Sequence, residues 1–385
     1  MAGFFPVFFK SYWSAGTPAT ESTLWLGITN SISSVAVAIC APLLGAWVDR
    51  NGRHRGVLLG FTILGIAMTA LLAIVPQGSW VVACFAFGFA AFGFMCSNSI
   101  YDALLIRVAD PAARDRVSAL GYSLGYLGGG LLFALNVAMT QWPSLFGLHD
   151  SVQAVQASFV MVAMWWLFFS FPLLIHHAPH QNRAPNNYSG RIYRRVRTTL
   201  HNIRRNPNIG LFLLAYWIYI DGVDTVIRMA VDYGLSLGLP SSSLIVALLI
   251  TQFVGFPAAL LYGRVGERVG EVRAILFGLG IYVVVVWAAS KMTSAMEFYV
   301  LAGAIGLVQG GIQALSRALY SRLIPADQAT EYFGIYNMLG KFAAILGPLL
   351  VGWVGYALGE PRLGILSLLL LFIVGGVLLS RVRVP

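Results

Sequence analysis

Charge is what this chain has least of: Asp, Glu, Lys and Arg make up 10% of its 385 residues. A soluble domain carries about 25%. That shortage excludes an ordinary water-soluble fold, because 58% of the residues are hydrophobic and no soluble core of this length hides so much apolar surface. Cysteine is sparse too. Cys40, Cys84 and Cys96 sit inside apolar stretches with neither metal spacing nor a disulfide framework, and read as small hydrophobes. No segment matches Gly-x4-Gly-Lys-Ser/Thr, which argues against ATP drive from within the chain. Gly125-Tyr-Leu-Gly-Gly-Gly130 lies inside an apolar run, where no strand–helix phosphate cradle forms. His176, His177 and His180 lack acidic or Cys neighbours and read as an interfacial cluster, not a metal site. No Ser–His–Asp arrangement is arguable, so the chain is expected to be no enzyme and to need no cofactor or metal. The opening residues also lack the basic n-region and cleavage site of a secretory signal.

What is present is long apolar runs, with a mean hydropathy of +0.76. Segments long enough to cross a bilayer fall near 24–48, 55–76, 79–105, 117–141, 153–176, 208–236, 241–263, 272–293, 295–320, 329–357 and 362–381. The stretch Met1–Trp13 is apolar but spans only about 20 Å as a helix, against a hydrocarbon core of about 30 Å. The expectation is eleven full spans plus an incomplete first one, in an all-α membrane protein. Of the 25 Lys and Arg residues, 20 fall in alternate loops, at one span end or at the C-terminus. By the positive-inside rule those loops and both termini are cytosolic. The surplus of base is therefore read as topology and not as a nucleic-acid surface. Between His177 and Pro207 lie seven Arg and no acid, with an amphipathic helix expected around Arg191–Arg205 against anionic headgroups. The expected division is 1-176, a first helical bundle; 177-207, a basic linker; and 208-385, a second bundle.

An internal repeat supports two related halves. Gly45-Ala-Trp-Val-Asp49-Arg50-Asn-Gly52-Arg53 is echoed 218 residues later by Gly263-Arg-Val-Gly-Glu267-Arg268-Val-Gly270-Glu271. Asn98-Ser-Ile-Tyr-Asp102-Ala-Leu aligns with Gln313-Ala-Leu-Ser-Arg317-Ala-Leu at an offset of 215. Two patterns at nearly one offset point to a duplicated six-helix unit, whose halves in transporters meet at a midplane site.

The Gly45-x-x-x-Asp49-Arg50-x-Gly52-Arg53 loop resembles the signature of the major facilitator superfamily. Phe4-Phe-Pro-Val-Phe-Phe-Lys10, Gln313-Ala-Leu-Ser-Arg-Ala-Leu-Tyr320 and Glu331-Tyr-Phe-Gly-Ile-Tyr-Asn-Met-Leu-Gly-Lys341 through Pro348 resemble its vacuole-effluxer branch. That branch holds vacuolar amino-acid exporters and bacterial relatives. Its members usually open with Asp-Trp-Ala-Asn-Ser ahead of the Phe-Phe-Pro run, so the start is expected to be misassigned or truncated. The resemblance implies the major facilitator fold in a bacterial inner membrane. It also implies an alternating-access, proton-coupled carrier of a small polar metabolite such as an amino acid, acting as a monomer. A lipid or glycolipid flippase on the same fold, or a non-transporting receptor or scaffold, is the alternative.

Charged groups at depth need partners or water. Asp221, Asp224, Arg228 and Asp232 fall on one helical stripe roughly 80° wide at about 100° per residue. Asp221, Asp224 and Lys341 are therefore expected to form the charged part of a central substrate and proton site. Arg228 stands one turn from Asp224, while Asn98, Gln313, Tyr126 and Asn337 are expected to line the cavity. A gate is expected from the loop motifs, with Asp49 set against a helix N-terminus of the other half. The charges at Arg53 and Asp102 are swapped in their equivalents, Glu271 and Arg317. That swap favours the pairs Arg53–Asp102 and Glu271–Arg317 within each half over a bridge from Asp102 to Arg317.

Overall fold

The computed structural model describes residues 5–175 and 192–384. His176, His177 and His180, Phe4 of the opening motif and most of the Arg-rich stretch before Ile192 lie outside the described residues. Among the described residues the regular structure is all helical, and eleven helices are long and apolar enough to cross a bilayer.

The opening segment is a short helix α1, Phe5–Phe8, continued by a π-helical turn, Phe9–Trp13. It is an aromatic plug: Phe9 and Trp13 are fully buried, and the Trp13 indole donates to Val75 O at 3.1 Å. Four spanning helices follow: α2, Ala19–Asn51; α3, His54–Leu71; α4, Trp80–Val108; and α5, Arg114–Gln141. A fifth, α6, is Ser151–Ile175. The expected linker helix is α7, Ile192–Arg205, which packs on α2 and on the next helix with Thr199 and Ile203 turned inward. The second set comprises α8, Pro207–Ser236; α9, Ser241–Val269; α10, Glu271–Ala289; α11, Ala295–Leu323; and α12, Ala329–Leu358. The last span is broken at Ser367 into α13, Pro361–Leu366, and α14, Leu368–Leu379.

Between the two sets the main seams are α2 on α12 and α5 on α9. Small residues permit the first. A Cβ on Gly334 would lie 2.6 Å from Ala41 O, and one on Gly45 would run into the backbone of Thr330. Only glycine lets two helical backbones approach this closely. The repeat is also visible in backbone conformation. Gly52 and Gly270, 218 residues apart, close α2 and α9 with φ of +65° and +87°, values that L side chains avoid.

Candidate functional site

The polar bridges between the two sets gather at the end of the bundle that carries the Arg-rich loops. There Asp49, at the last turn of α2, accepts from the Glu331 N–H at 2.9 Å. A carboxylate is thus aimed at the unsatisfied donors and positive dipole end of α12, as its place in the signature loop implied. The other half answers in kind. Gly263 packs on Ala119 and the Asp115–Arg116 backbone of α5, and Glu267 pairs with Arg116 at 2.7 Å. Glu267 is the repeat equivalent of Asp49, and Arg116 that of Glu331 at the 215 offset. One contact meets a backbone donor and the other a side chain, but the positions correspond.

The expected pairing of the swapped charges is corrected. Arg317 bridges to Asp102 at 3.1 Å, from α11 to α4, with both residues buried. Its guanidinium also donates to Ser118 Oγ at 2.9 Å and Ser118 O at 3.2 Å, and stacks over the rings of Tyr122 and Tyr101. Arg53 is exposed, and Glu271 pairs instead with Arg322, which also lies 3.3 Å from Asp115. The reason is symmetry: two equivalent positions close to a pseudo-twofold axis face each other across it. The swap makes that axial contact attractive, whereas two copies of either charge would repel.

Other assignments also move. Asn337 belongs to the gate, since its amide donates to Asp102 Oδ2 at 3.0 Å. Tyr126 is a wedge and not a cavity wall: a Cβ on Gly255 or Gly310 would come within 2.7 Å of its ring. Asp221 is separated from Asp224. It is fully buried and accepts from the Gly347 N–H at 2.9 Å and from Thr225 Oγ1 at 3.3 Å, pinning α12 beside its internal Pro348. Asp224 lies about 60° around the helix from Asp221, enough to turn one acid into the α8–α12 seam and leave the other partly exposed. Asp224 interacts electrostatically with Arg228 and Lys341, yet no ion pair under 4 Å joins them among the described residues. Asn98 and Gln313 are partly buried, while Arg50 and Arg268 are exposed at the basic end.

Around the Asp102–Arg317 bridge lies a floor of tyrosines. Tyr216 and Tyr336 stack at 4.1 Å between centroids, and Tyr336 and Tyr320 at 5.0 Å. Tyr122 and Tyr216 are both within the electrostatic reach of Asp224. The geometry is therefore a polar layer packed with tyrosines at the basic end and, farther along α8 and α12, a partly exposed Asp224 and Lys341 with an exposed Arg228. Sequence reasoning missed Arg116, Arg322, Arg114, whose guanidinium donates to Ser321 O, and His54. The repeat offset was the signal available for Arg116, as the partner of Glu267.

Two packed helical sets around a closed polar layer define a membrane transporter of the major facilitator type. The fold is shared with solved structures at low identity. The human organic anion transporter MFSD10 matches with a TM-score of 0.68 at 18% identity, over 98% of this chain and 88% of that one. A proton:xylose symporter, XylE, matches with 0.74 at 13% identity, over 100% and 91%. In sequence, the MFS-type transporter YxiO of Bacillus subtilis is 37% identical over 98% of this chain and 89% of its own length. Residues 106–385 match the family described as "Vacuole effluxer Atg22 like", and the chain belongs to it. Autophagy-related protein 22 of Cryptococcus neoformans is 26% identical over 70% of this chain, which spans about half of that relative's length. These relatives are transporters and not enzymes. The chain is accordingly an integral multi-pass membrane protein whose partners are a lipid bilayer and a small-molecule substrate.

Proposed function

We propose that this chain is a proton-coupled, alternating-access exporter of a small zwitterionic metabolite such as an amino acid, seen closed at its cytosolic face. The observation that carries the reading is the arrangement of Asp224, Arg228 and Lys341. An anion and two cations share one partly exposed region of α8 and α12 without contacting each other. Unlike charges held apart in a poorly solvated site leave room for a ligand bearing both signs, its ammonium on Asp224 and its carboxylate on Lys341 or Arg228. In the absence of ligand, Asp224 is the group that takes the proton. Residues 1-176 and 208-385 then act as two bundles rocking about the tyrosine floor, joined by 177–207. The basic end faces the cytosol of a bacterium, an orientation that the loop Arg residues support. The carrier works as a monomer, because both halves of the gate come from one chain.

The test is substrate-driven proton movement in proteoliposomes holding a pH-sensitive dye. Amino acids offered singly are expected to move protons with the wild type and to fail with Asp224→Asn. Undiminished coupled flux in Asp224→Asn would remove the central site from the mechanism. Uptake of labelled lipid in place of any amino acid would move the reading to a flippase.

A further inference from the structure

His54, the first residue of α3, occupies a position where one ring nitrogen meets incompatible demands. Its side chain is buried, with 6% of the residue exposed. Nε2 lies 3.2 Å from Asp49 Oδ1, 3.2 Å from Thr330 Oγ1 and 2.8 Å from Arg107 Nη2. The other nitrogen, Nδ1, is buried with no hydrogen-bond partner. Arg107 is donor-only, so the 2.8 Å contact needs a lone pair on Nε2, hence a neutral ring with its proton on Nδ1. Asp49, an ionised acceptor, would use Nε2 only as a donor. The two contacts cannot both be satisfied in one protonation state. The hydroxyl of Thr330 serves either.

We propose that His54 is a proton-binding latch on the gate: neutral, it supports closure of α2 onto α12, and protonated, it releases it. In the neutral ring Arg107 is held by Nε2, and Asp49 keeps its full charge on the α12 N-terminus. Adding a proton places N–H on Nε2, which donates to Asp49 Oδ1 and offsets the charge with which that carboxylate grips α12. The imidazolium also stands 2.8 Å from the Arg107 guanidinium, so Arg107 must leave. The facing groups are Asp49 from α2, Arg107 from α4, and Thr330 and the buried Glu331 from α12, with Arg50 and Arg55 flanking on the His54 side. Acid at the basic end therefore favours opening to that end, at a site distinct from Asp224. The proposal draws on the preceding reading only for which compartment that end faces.

The test uses full-length protein in liposomes, with the native cysteines replaced and spin labels at Ala112→Cys and Ala326→Cys, exposed loop positions on either side of the gate. As pH falls from about 8 to about 5.5, the ratio of separated to close label distances is expected to rise about tenfold in the wild type. His54→Gln is expected to hold one ratio across that range, and Asp224→Asn to keep the wild-type response. If His54→Gln does not fold, Arg107→Gln carries the test: with the repelling cation gone, the response should move to higher pH. An unchanged response in His54→Gln, or an unmoved one in Arg107→Gln, overturns the latch. Loss of the response in Asp224→Asn alone would place the sensed proton at the central site instead.

Discussion

Removing the axial carboxylate by Asp102→Leu should open the gate by a calculable amount. Arg317 would keep its two contacts to Ser118 and its faces on Tyr101 and Tyr122, but lose the one close counter-charge it has among the described residues, in a site that is almost dry. Breaking a buried ion pair by deleting one partner costs about 3–5 kcal/mol. The surviving contacts put this case at the low end, about 3 kcal/mol, and the cost falls on the closed state alone, because opening lets water reach the guanidinium. At about 1.4 kcal/mol per factor of ten, the closed-to-open ratio falls roughly 100-fold. Distances between labels at positions 112 and 326 report that ratio directly. Reversal in Asp102→Arg/Arg317→Asp should recover most of the closed population, whereas Arg53→Asp/Asp102→Arg should recover none, since Arg53 is exposed and Asp102 is held by Arg317 and Asn337. Rescue by the second pair, or no shift in Asp102→Leu, would refute the axial bridge.

Two further outcomes follow from packing. Gly45→Val would drive a branched side chain into the Thr330 backbone, so the closed population should fall sharply while thermal stability in detergent changes little. Asp221→Ala should instead lower detergent stability by about 1–3 kcal/mol, the cost of orphaning a buried N–H such as that of Gly347. Asp221→Asn, which can still accept that bond, should recover most of the loss.

The architecture was legible because burial in lipid leaves long apolar runs, and the span ends could be read from loop charge. The gate was legible in outline because the repeat preserves both glycines and charges: Asp49 meets α12 where the signature loop implied. Pairing within the gate was not. Sequence offset tells which residues are equivalent, not how far each stands from the axis, and Asp102 and Arg317 pair only because they are close to it. The acidic stripe on α8 failed for a related reason. Periodicity places Asp221 and Asp224 on one side of the helix, but 60° of rotation separates a seam with α12 from an accessible face. His54 left no signal, since a lone histidine among loop arginines looks solvated until α12 is seen to cover it.

The opposite charges at positions 102 and 317 also constrain how this protein arose. An ancestor with one and the same charge at both positions would have faced like with like at its centre, and one copy changing sign would have turned that contact into the present seal. Once it had, two first halves could no longer close on each other, nor could two second halves. The same substitution that locked the door also dictated which leaf could hang opposite which.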